Sequence, residues 1–371
     1  MAHTLQERYS GLVLAKIRKD LVLKDGVVFN NDYEGTPTAG SVKIPVRDTE
    51  VAVSDYDKAN GITAGAGATS YETLTINKDK GVNEIIDGYD AAAVPDNLVA
   101  DRLDSAGYSL ANQIDTDGAT VLLAGSTVTG VASLTKDNIY SAIVDIRTAM
   151  SKANIPNDGK RYLLVTPDTM ALILKSPEFI SASSLGDEVK ASGAVGKIAN
   201  FLVLEWNDTT ANLAMVAGHP RFATRANEFS VPIKVQDLSG SGKYIGASAV
   251  QGRMVYAHKV LRSTAIRAVY SPGSLALTVQ VGTTTAGDTK ITATLGTDNS
   301  GGSLAYKKNP SSRIAYGTTS TAYAGTSMTS ATAKVISSCV VGDIVEVAEF
   351  DSTGACISVG YVTLTSANIK A

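Results

Sequence analysis

The sequence predicts an α+β body of about 270 residues followed by an all-β domain of about 100 residues. Three observations carry this prediction. A single apolar stripe of helical period runs for nearly thirty residues after Pro95, the last hundred residues alternate short apolar runs with turn residues, and the composition changes sharply at residues 271–273. A chain of 371 residues exceeds the usual size of one domain, so two domains are expected.

Charge and hydropathy exclude several functions. A net charge of -3 and an isoelectric point near 5.7 are incompatible with the broad basic surface that binds nucleic acid through its phosphates. No stretch approaches the roughly 20 apolar residues of a membrane helix, and the N-terminus lacks the pattern of a signal peptide, so we expect a cytoplasmic chain with no membrane partner. Cys339 and Cys356 make neither a disulfide framework nor a zinc site. We expect two small buried residues, with one disulfide as the alternative.

The N-terminal eighty residues show little packing of their own. A helical segment at 5–19 leads into a polar stretch that lasts to Pro37, which predicts an arm over residues 1–40. Two strands at 41–46 and 71–77 are separated by more than twenty residues with a Gly/Ala-rich tract at 61–69. Such a long connection indicates an extended loop over 41–80 that is functional, flexible or held by a partner chain. The tract lacks the Lys-Ser/Thr that a phosphate-binding loop requires.

Two helices and a compact α/β passage form the predicted centre of the body. The long helix would reach about 40 Å at 1.5 Å per residue. A second helix begins near Thr135 as its N-cap and ends before Pro156. A buried strand at 161–166 leads into a helix that starts at Pro167, and a further helix begins near residue 176. The two helical stripes are expected in the core: Val99, Leu103, Ala106, Leu110, Ile114 and Val121, then Ile139, Ile143, Ile146 and Met150.

Strands are predicted towards the end of the body and throughout the C-terminal domain. In the body the end of a helix followed by a strand is predicted over 193–205, with further strands at 212–218 and 230–235 and one long strand over 253–270. After Pro272 they are predicted at 275–281, 290–295, 342–347 and 356–364, and the last two flank a turn at 351–354. This spacing fits a small immunoglobulin-like β-sandwich over residues 272–371. Such domains bind, decorate or stiffen.

The sequence contains no catalytic constellation. No Gly-x-Ser-x-Gly turn accompanies His219 or His258, and His219-Pro220 is typical of a turn. Neither His-x-x-x-His nor Cys-x-x-Cys occurs, and acidic pairs such as Asp187-Glu188 are typical of a solvated face. We therefore predict no enzyme, no catalytic residue, no cofactor and no metal.

The order of elements resembles the major capsid proteins of tailed bacteriophages, which have the Hong Kong 97 type of shell fold. Residues 161–168 are similar to that family's strand-to-helix step, residues 195–203 to its passage near the capsomer centre, and residues 250–260 to its closing strand. The resemblance covers about residues 1–270. It implies an arm at 1–40, an extended loop at 41–80 and a spine helix with peripheral and axial shell domains at 81–270.

The resemblance also implies a function and partners. The chain would assemble in the host cytoplasm from pentamers and hexamers into the icosahedral capsid of a virion, with the C-terminal domain projecting from its surface. The shell would enclose double-stranded DNA without sequence-specific binding. Its partners would include a portal and decoration proteins. Because the chain starts at the arm, scaffolding would come from a separate protein or would already have been removed.

Charges of both signs in and beside the extended loop suit salt bridges that set the register between subunits. A merely solvated surface is the alternative for each of them. Some relatives join a loop Lys to an Asn of a neighbour, and Lys58 and Lys78 lie in that region, but no acceptor can be assigned and crosslinking is not predicted. The candidate interface residues are Lys43, Arg47, Asp48, Glu50, Asp55, Asp57, Lys58, Lys78, Asp79 and Lys80.

Two other functions remain open at this point. An encapsulin-like nanocompartment subunit resembles the same fold, although the fused β-domain argues against it. A surface adhesin or S-layer protein would use the β-domain for binding, although the missing signal peptide argues against that.

Overall fold

A computed structural model describes residues 18–33, 40–46, 53–62, 70–93, 98–177 and 196–371. These residues belong to two compact units, one made of 1–126 with 219–263 and the other of 127–218 with 264–371. The helices are α1 (Gly88–Ala93), α2 (Leu98–Gly125), α3 (Ile139–Lys152), α4 (Pro167–Leu174) and α5 (Ser320–Tyr323). The strands of the first two thirds are β1 (Ser41–Val46), β2 (Ser70–Thr75), β3 (Lys78–Ile86), β4 (Thr127–Gly130), β5 (Tyr162–Val165), β6 (Lys197–Ile198), β7 (Phe201–Glu205), β8 (Leu213–Gly218), β9 (Ala223–Asp237), β10 (Ser248–Val260) and β11 (Arg267–Tyr270). Those of the last third are β12 (Gly273–Ser274), β13 (Leu277–Val281), β14 (Thr289–Ala293), β15 (Ser303–Lys308), β16 (Thr326–Met328), β17 (Lys334–Ile336), β18 (Ile344–Phe350) and β19 (Cys356–Thr363).

The first unit is a long helix on an antiparallel sheet. Helix α2 packs against strands in the order β3-β10-β9. Its predicted stripe provides the contact, since Ala106 lies against Val250 while Leu110 and Ile114 lie against Tyr256. Apolar residues at helical spacing thus bury one face of α2, as predicted.

The second unit contains a six-stranded sheet in the order β4-β11-β8-β5-β7-β6. Strands β5 and β8 are buried along their whole length, which explains their continuous apolar sequences. The predicted stripe of α3 is confirmed, because Ile139, Ile143, Ile146 and Met150 are all buried.

The C-terminal strands of the second unit form two sheets, one in the order β12-β19-β18-β15-β16 and one in the order β13-β14-β17. The sheets share a core in which Ile291 and Ile336 of the smaller sheet pack with Val345 and Val347 of the larger. The opposite face of β18 is covered too, where Phe350 packs with Ile314 and Tyr323 from the segment 309–325.

Two predicted elements differ from the structure, and several strands were not predicted. Helix α3 begins at Ile139 rather than at Thr135, because residues 135–138 form a turn in which the Thr135 amide donates to Oδ1 of Asn138 at 2.7 Å. The strand predicted over 253–270 is two strands, β10 and β11, which join different sheets on either side of a 3₁₀ turn at Ser263–Ala265. The apolar pattern continues through that turn because Ala265 is itself buried. Strands β15, β16 and β17 were not predicted.

Other expectations are confirmed or lie outside the described residues. Both cysteines are free and buried, as predicted, with Cys339 between the two C-terminal sheets and Cys356 on the opposite face of the larger one. The helices predicted at 5–19 and near 176 lie largely outside the described residues. Of the helices in the described ranges, none is both long and apolar enough to cross a membrane.

Candidate subunit interface

The extended loop is attached to the body at its base. Strands β1 and β2 pair antiparallel from Ser41↔Thr75 to Val46↔Ser70. Their inward side chains, Ile44 and Leu74, are each 1% exposed and pack on Ala226 and Ala257 of the sheet. The base of the loop is therefore part of the core of the first unit.

An ion pair adds to this attachment. The ammonium group of Lys259 donates to Oε2 of Glu72 at 2.6 Å and to the carbonyl oxygen of Thr73 at 2.7 Å. Lys259 belongs to β10, whereas both acceptors belong to β2. One side chain thus joins the loop to the central strand of the sheet.

The far end of the loop contains a turn that is braced from within. The carboxylate of Asp57 accepts from the Ala59 amide at 2.8 Å and from Nδ2 of Asn60 at 2.7 Å, and the Gly61 amide donates to the Asp57 carbonyl oxygen. These hydrogen bonds, that from Ala59 first, lower the pKa of Asp57. Gly61 has φ +67°, a left-handed conformation that favours glycine. The turn is preformed.

Apolar side chains flank this turn and lie in solvent. Val53 is 98% exposed, Tyr56 71% and Ile62 53%. Leaving three such side chains in water forgoes the stabilisation that burying them would provide. Neighbouring exposed apolar residues on an ordered turn are typical of a surface that another protein covers.

The predicted loop charges are placed only in part. Lys43, Asp55 and Lys58 are exposed, Lys43 on β1 and the other two beside the braced turn, and Asp57 holds the turn as described. Arg47, Asp48 and Glu50 lie outside the described residues. The structure brings Asp55, Asp57 and Lys58 together at one end of the loop.

The other three predicted residues lie on β3, and two of them pair with charged groups of their own chain. The carboxylate of Asp79 accepts from Nε of Arg253 at 2.8 Å and from its Nη2 at 2.5 Å, and this pairing lowers the pKa of Asp79. Nζ of Lys78 lies 3.6 Å from Oδ1 of Asp117, and Lys80 is half-buried. Asp79 thus joins β3 to β10 and Lys78 joins β3 to α2, in addition to any contact with another subunit.

Sequence reasoning missed a buried polar cluster in the first unit. It unites Asp115, Arg225 and His258 with residues 23–30 of the arm, and its members are separated by up to about two hundred residues along the chain. The available signal was His258 itself, a polar residue at an inward position of an apolar strand. The other buried histidine, His219, accepts the Arg221 amide at Nδ1 in the predicted turn.

No group of three His, Cys, Asp or Glu residues in the described ranges is placed to hold a metal ion. The polar groups described above instead brace turns, join strands or hold the arm. These contacts serve the fold of the chain itself.

Comparison with known proteins identifies a family. The phage capsid protein family matches residues 84–273, about half of the chain. No curated protein matches the sequence. Among solved structures, a chain of Mycobacterium phage Che8 is 24% identical and superposes with a TM-score of 0.60 over 71% of this chain and 96% of that one.

Two further capsid structures are similar. The capsid of cyanophage P-SCSP1u is 15% identical, with a TM-score of 0.61 over 72% of this chain and 93% of that one. The mature capsid of bacteriophage PhiM1 is 13% identical, with a TM-score of 0.59 over 72% and 92%. Each of these chains is covered almost completely, whereas more than a quarter of the present chain has no counterpart in them.

Proposed function

This chain belongs to the phage capsid protein family, and we propose that it forms an icosahedral shell of the Hong Kong 97 type, built of pentamers and hexamers. It is a major capsid protein of the virion and not an enzyme. A capsid protein works as a multimer, so its exposed surfaces include those that neighbours cover. The family match favours neither a nanocompartment nor an adhesin.

The end of the extended loop is the observation that carries this proposal. Its turn is braced by Asp57, its base is anchored by Ile44 and Leu74, and its apolar residues Tyr56 and Ile62 face solvent. A rigid turn that presents apolar side chains is suited to bind a complementary surface with little loss of conformational entropy. In a shell that surface belongs to a neighbouring copy.

The charged residues of the loop would set the register of this contact. Like charges that face each other across an interface cost on the order of several kcal/mol, which is enough to disfavour a wrong register. Opposite charges favour the correct register. Lys78 and Asp79 would contribute while keeping their contacts within the chain. The proposed interface residues are Lys43, Arg47, Asp48, Glu50, Asp55, Asp57, Lys58, Lys78, Asp79 and Lys80.

The C-terminal strands would form an immunoglobulin-like domain on the outer surface of the shell. Support comes from coverage, since the similar capsid chains are matched over 92–96% of their own length by only 71–72% of this one. The functional parts would be the arm at 1–40, the loop at 41–80, the shell body at 81–270 and the projecting domain at 272–371. A net charge of -3 supports a shell that encloses double-stranded DNA without gripping it.

Further partners follow from the same proposal. Assembly in the host cytoplasm would use a separate scaffolding protein and start at a portal. Decoration proteins would bind the finished shell.

Substitution at the loop end tests the proposal. The double variant Tyr56→Ser, Ile62→Ser should reduce the yield of sedimenting shells at least tenfold, because it removes the apolar contact between copies. The unassembled subunit should melt at the wild-type temperature, since both residues are already exposed in it.

A matched control uses the C-terminal domain. Val340 is 64% exposed, and Val340→Ser should leave the yield of shells unchanged because we place this residue outside the shell lattice. Wild-type yield from the double variant would show that the loop end is not an interface.

A further inference from the structure

Residues 22–30 of the arm are bound to the body by buried contacts. Leu23 is 2% exposed, and Val28 and Phe29 are completely buried. The Leu23 amide donates to Oδ1 of Asp115 on α2 at 3.0 Å. The Asn30 amide donates to the Ala223 carbonyl oxygen on β9 at 2.8 Å. The segment is thus held at both ends.

Arg225 of β9 is the centre of this attachment. Its Nη2 donates to the Leu23 carbonyl oxygen at 2.8 Å, and its Nη1 lies 3.0 Å from Oδ1 of Asp25. Its Nε donates to Nε2 of His258 at 2.8 Å. A guanidinium group only donates, so Nε2 of His258 accepts and carries no proton. The bond exists only with a neutral imidazole.

The imidazole is tightly enclosed. Its ring centroid lies 5.0 Å from that of Phe29 and 5.5 Å from that of Tyr256. Gly118 of α2 makes room for it, because a Cβ at this position would lie 3.2 Å from both Nε2 of His258 and Cε2 of Phe29. Nδ1 is buried and has no hydrogen-bond partner among the described residues. Because Nε2 accepts from Arg225, Nδ1 carries the proton of the neutral ring, and an added proton would lie on Nε2 against the guanidinium group.

Charged groups on the surrounding elements influence the pKa of the imidazole. Burial, with Arg225 and Lys78 in addition, lowers the pKa of His258 to about 3, against a smaller opposing influence of Asp117. Asp117 itself accepts from the hydroxyl of Tyr256 at 2.8 Å. The titratable and charged neighbours of the attachment are Asp25 on the arm, Lys78 on β3, Asp115 and Asp117 on α2, Arg225 on β9 and Tyr256 on β10.

We propose that these contacts form an acid-sensitive arm clasp, made of Leu23, Asp25, Phe29, Asp115, Arg225 and His258, that opens when His258 takes up a proton. Protonation turns Nε2 from an acceptor into a donor and sets an imidazolium against the Arg225 guanidinium. Both Nε2 and Nε would then donate toward each other. The hydrogen bond is lost, two cations are in contact, and residues 22–30 leave the body.

The pH window follows from the two states of the histidine. In the open state His258 is solvated and titrates near 6.5, its ordinary value, while in the closed state it stays neutral down to much lower pH. Below about pH 6.5 the open state therefore binds one more proton, and the equilibrium constant for opening rises by up to roughly tenfold for each pH unit.

Asp115 acts with the opposite sign. Burial raises the pKa of Asp115 in the closed state, so its protonation favours closure at the acid end of the window. Histidine control is therefore expected between pH 6.5 and about 5, above the ordinary carboxyl range.

Hydrogen exchange of the full-length chain measures the clasp directly. After correction for the intrinsic exchange rate, protection of the Leu23 and Asn30 amides should fall by up to roughly fifteenfold between pH 6.5 and 5. The Ile76 amide, bonded to the Gly40 carbonyl oxygen at the base of the loop, should keep its protection.

Two variants separate the histidine from other causes. In His258→Gln a side-chain oxygen can still accept from Arg225 but does not titrate, so protection of Leu23 and Asn30 should no longer depend on pH in this range. His219→Gln removes the other buried histidine of this unit and should retain the wild-type dependence. An unchanged dependence in His258→Gln would overturn the proposal.

Imidazole NMR of the wild-type chain gives a second readout that needs no variant. With three histidines in the chain, the His258 signals can be assigned. They should report a neutral ring for as long as the Leu23 and Asn30 amides are protected. Titration near pH 6.5 without loss of that protection would equally contradict the clasp.

Discussion

Glu346 is a buried carboxyl group that accepts a hydrogen bond from the segment 309–325. It is completely buried on β18, and its Oε2 accepts the Ile314 amide at 3.2 Å. Its Oε1 has no hydrogen-bond partner among the described residues. Burial therefore raises the pKa of Glu346, although Arg313 and Lys307 oppose the shift.

The direction of this shift predicts a pH dependence. A carboxyl group whose pKa is raised on folding stabilises the fold below its ordinary pKa, and this contribution is lost as the pH rises through the folded value. In Glu346→Gln the free energy of unfolding should therefore vary less between pH 4.5 and 7.5 than in the wild type. Fluorescence of Trp206, the one tryptophan, reports on the same unit.

Glu349 supplies the contrast. Its Oε1 accepts from the Gly296 amide and from Asn299, and Glu349→Gln keeps an oxygen that can accept both bonds, so this variant is the control for a carboxyl-to-amide change on the same strand. If Glu346→Gln keeps the full pH dependence of the wild type, Glu346 is not its source.

At the scale of elements, the segment 309–325 has two contacts. It covers the larger C-terminal sheet through Ile314 and Tyr323, and it also reaches the end of β4. There the Tyr316 amide donates to the Val131 carbonyl oxygen at 3.0 Å, and the Tyr316 ring stacks on that of Tyr270 with centroids 5.3 Å apart. The C-terminal strands are thus joined to the six-stranded sheet by specific contacts.

Gly130 makes this junction possible. A Cβ at Gly130 would lie 1.9 Å from the Tyr316 carbonyl oxygen, a backbone atom that cannot move without shifting the turn around it. Gly130→Ala should lower the free energy of unfolding by about 1–3 kcal/mol, the usual cost of overpacking. Denaturant unfolding followed by Trp206 fluorescence measures the loss.

Gly240 of the first unit is the control for the substitution itself, and its unfolding is followed by circular dichroism of the whole chain rather than by Trp206. It has no heavy atom within 4 Å of its Cβ position and no positive φ, so Gly240→Ala should change stability by no more than about 0.5 kcal/mol. Equal stability of the Gly130→Ala variant and the wild type would mean that the junction yields without cost.

Local patterns predicted the elements whose packing is periodic. The stripes of α2 and α3 and the continuous apolar run of β5 identify helices and a buried strand because each is set by neighbours along the chain. The pairing of β4 with β11 joins residues about 140 positions apart. Strands β15, β16 and β17 are short, and whether such segments form strands depends on the strands that they pair with. The arm clasp was not predicted for the same reason, since Asp115, Arg225 and His258 are brought together only by the fold.

At the scale of the molecule, the sequence predicted a multimeric role from segments that lack packing of their own. The structure sharpens this for the loop, whose base belongs to the core while its far end presents Val53, Tyr56 and Ile62 to solvent. Which neighbour covers them cannot be read from one chain, because the complementary surface lies on another copy.

Electron cryomicroscopy of the purified full-length chain tests the central claim most directly. We predict closed icosahedral shells in which the loop end of one subunit lies on a neighbour and density for β12–β19 stands on the outer surface. A chain that remains monomeric under conditions where it is fully folded would contradict the account.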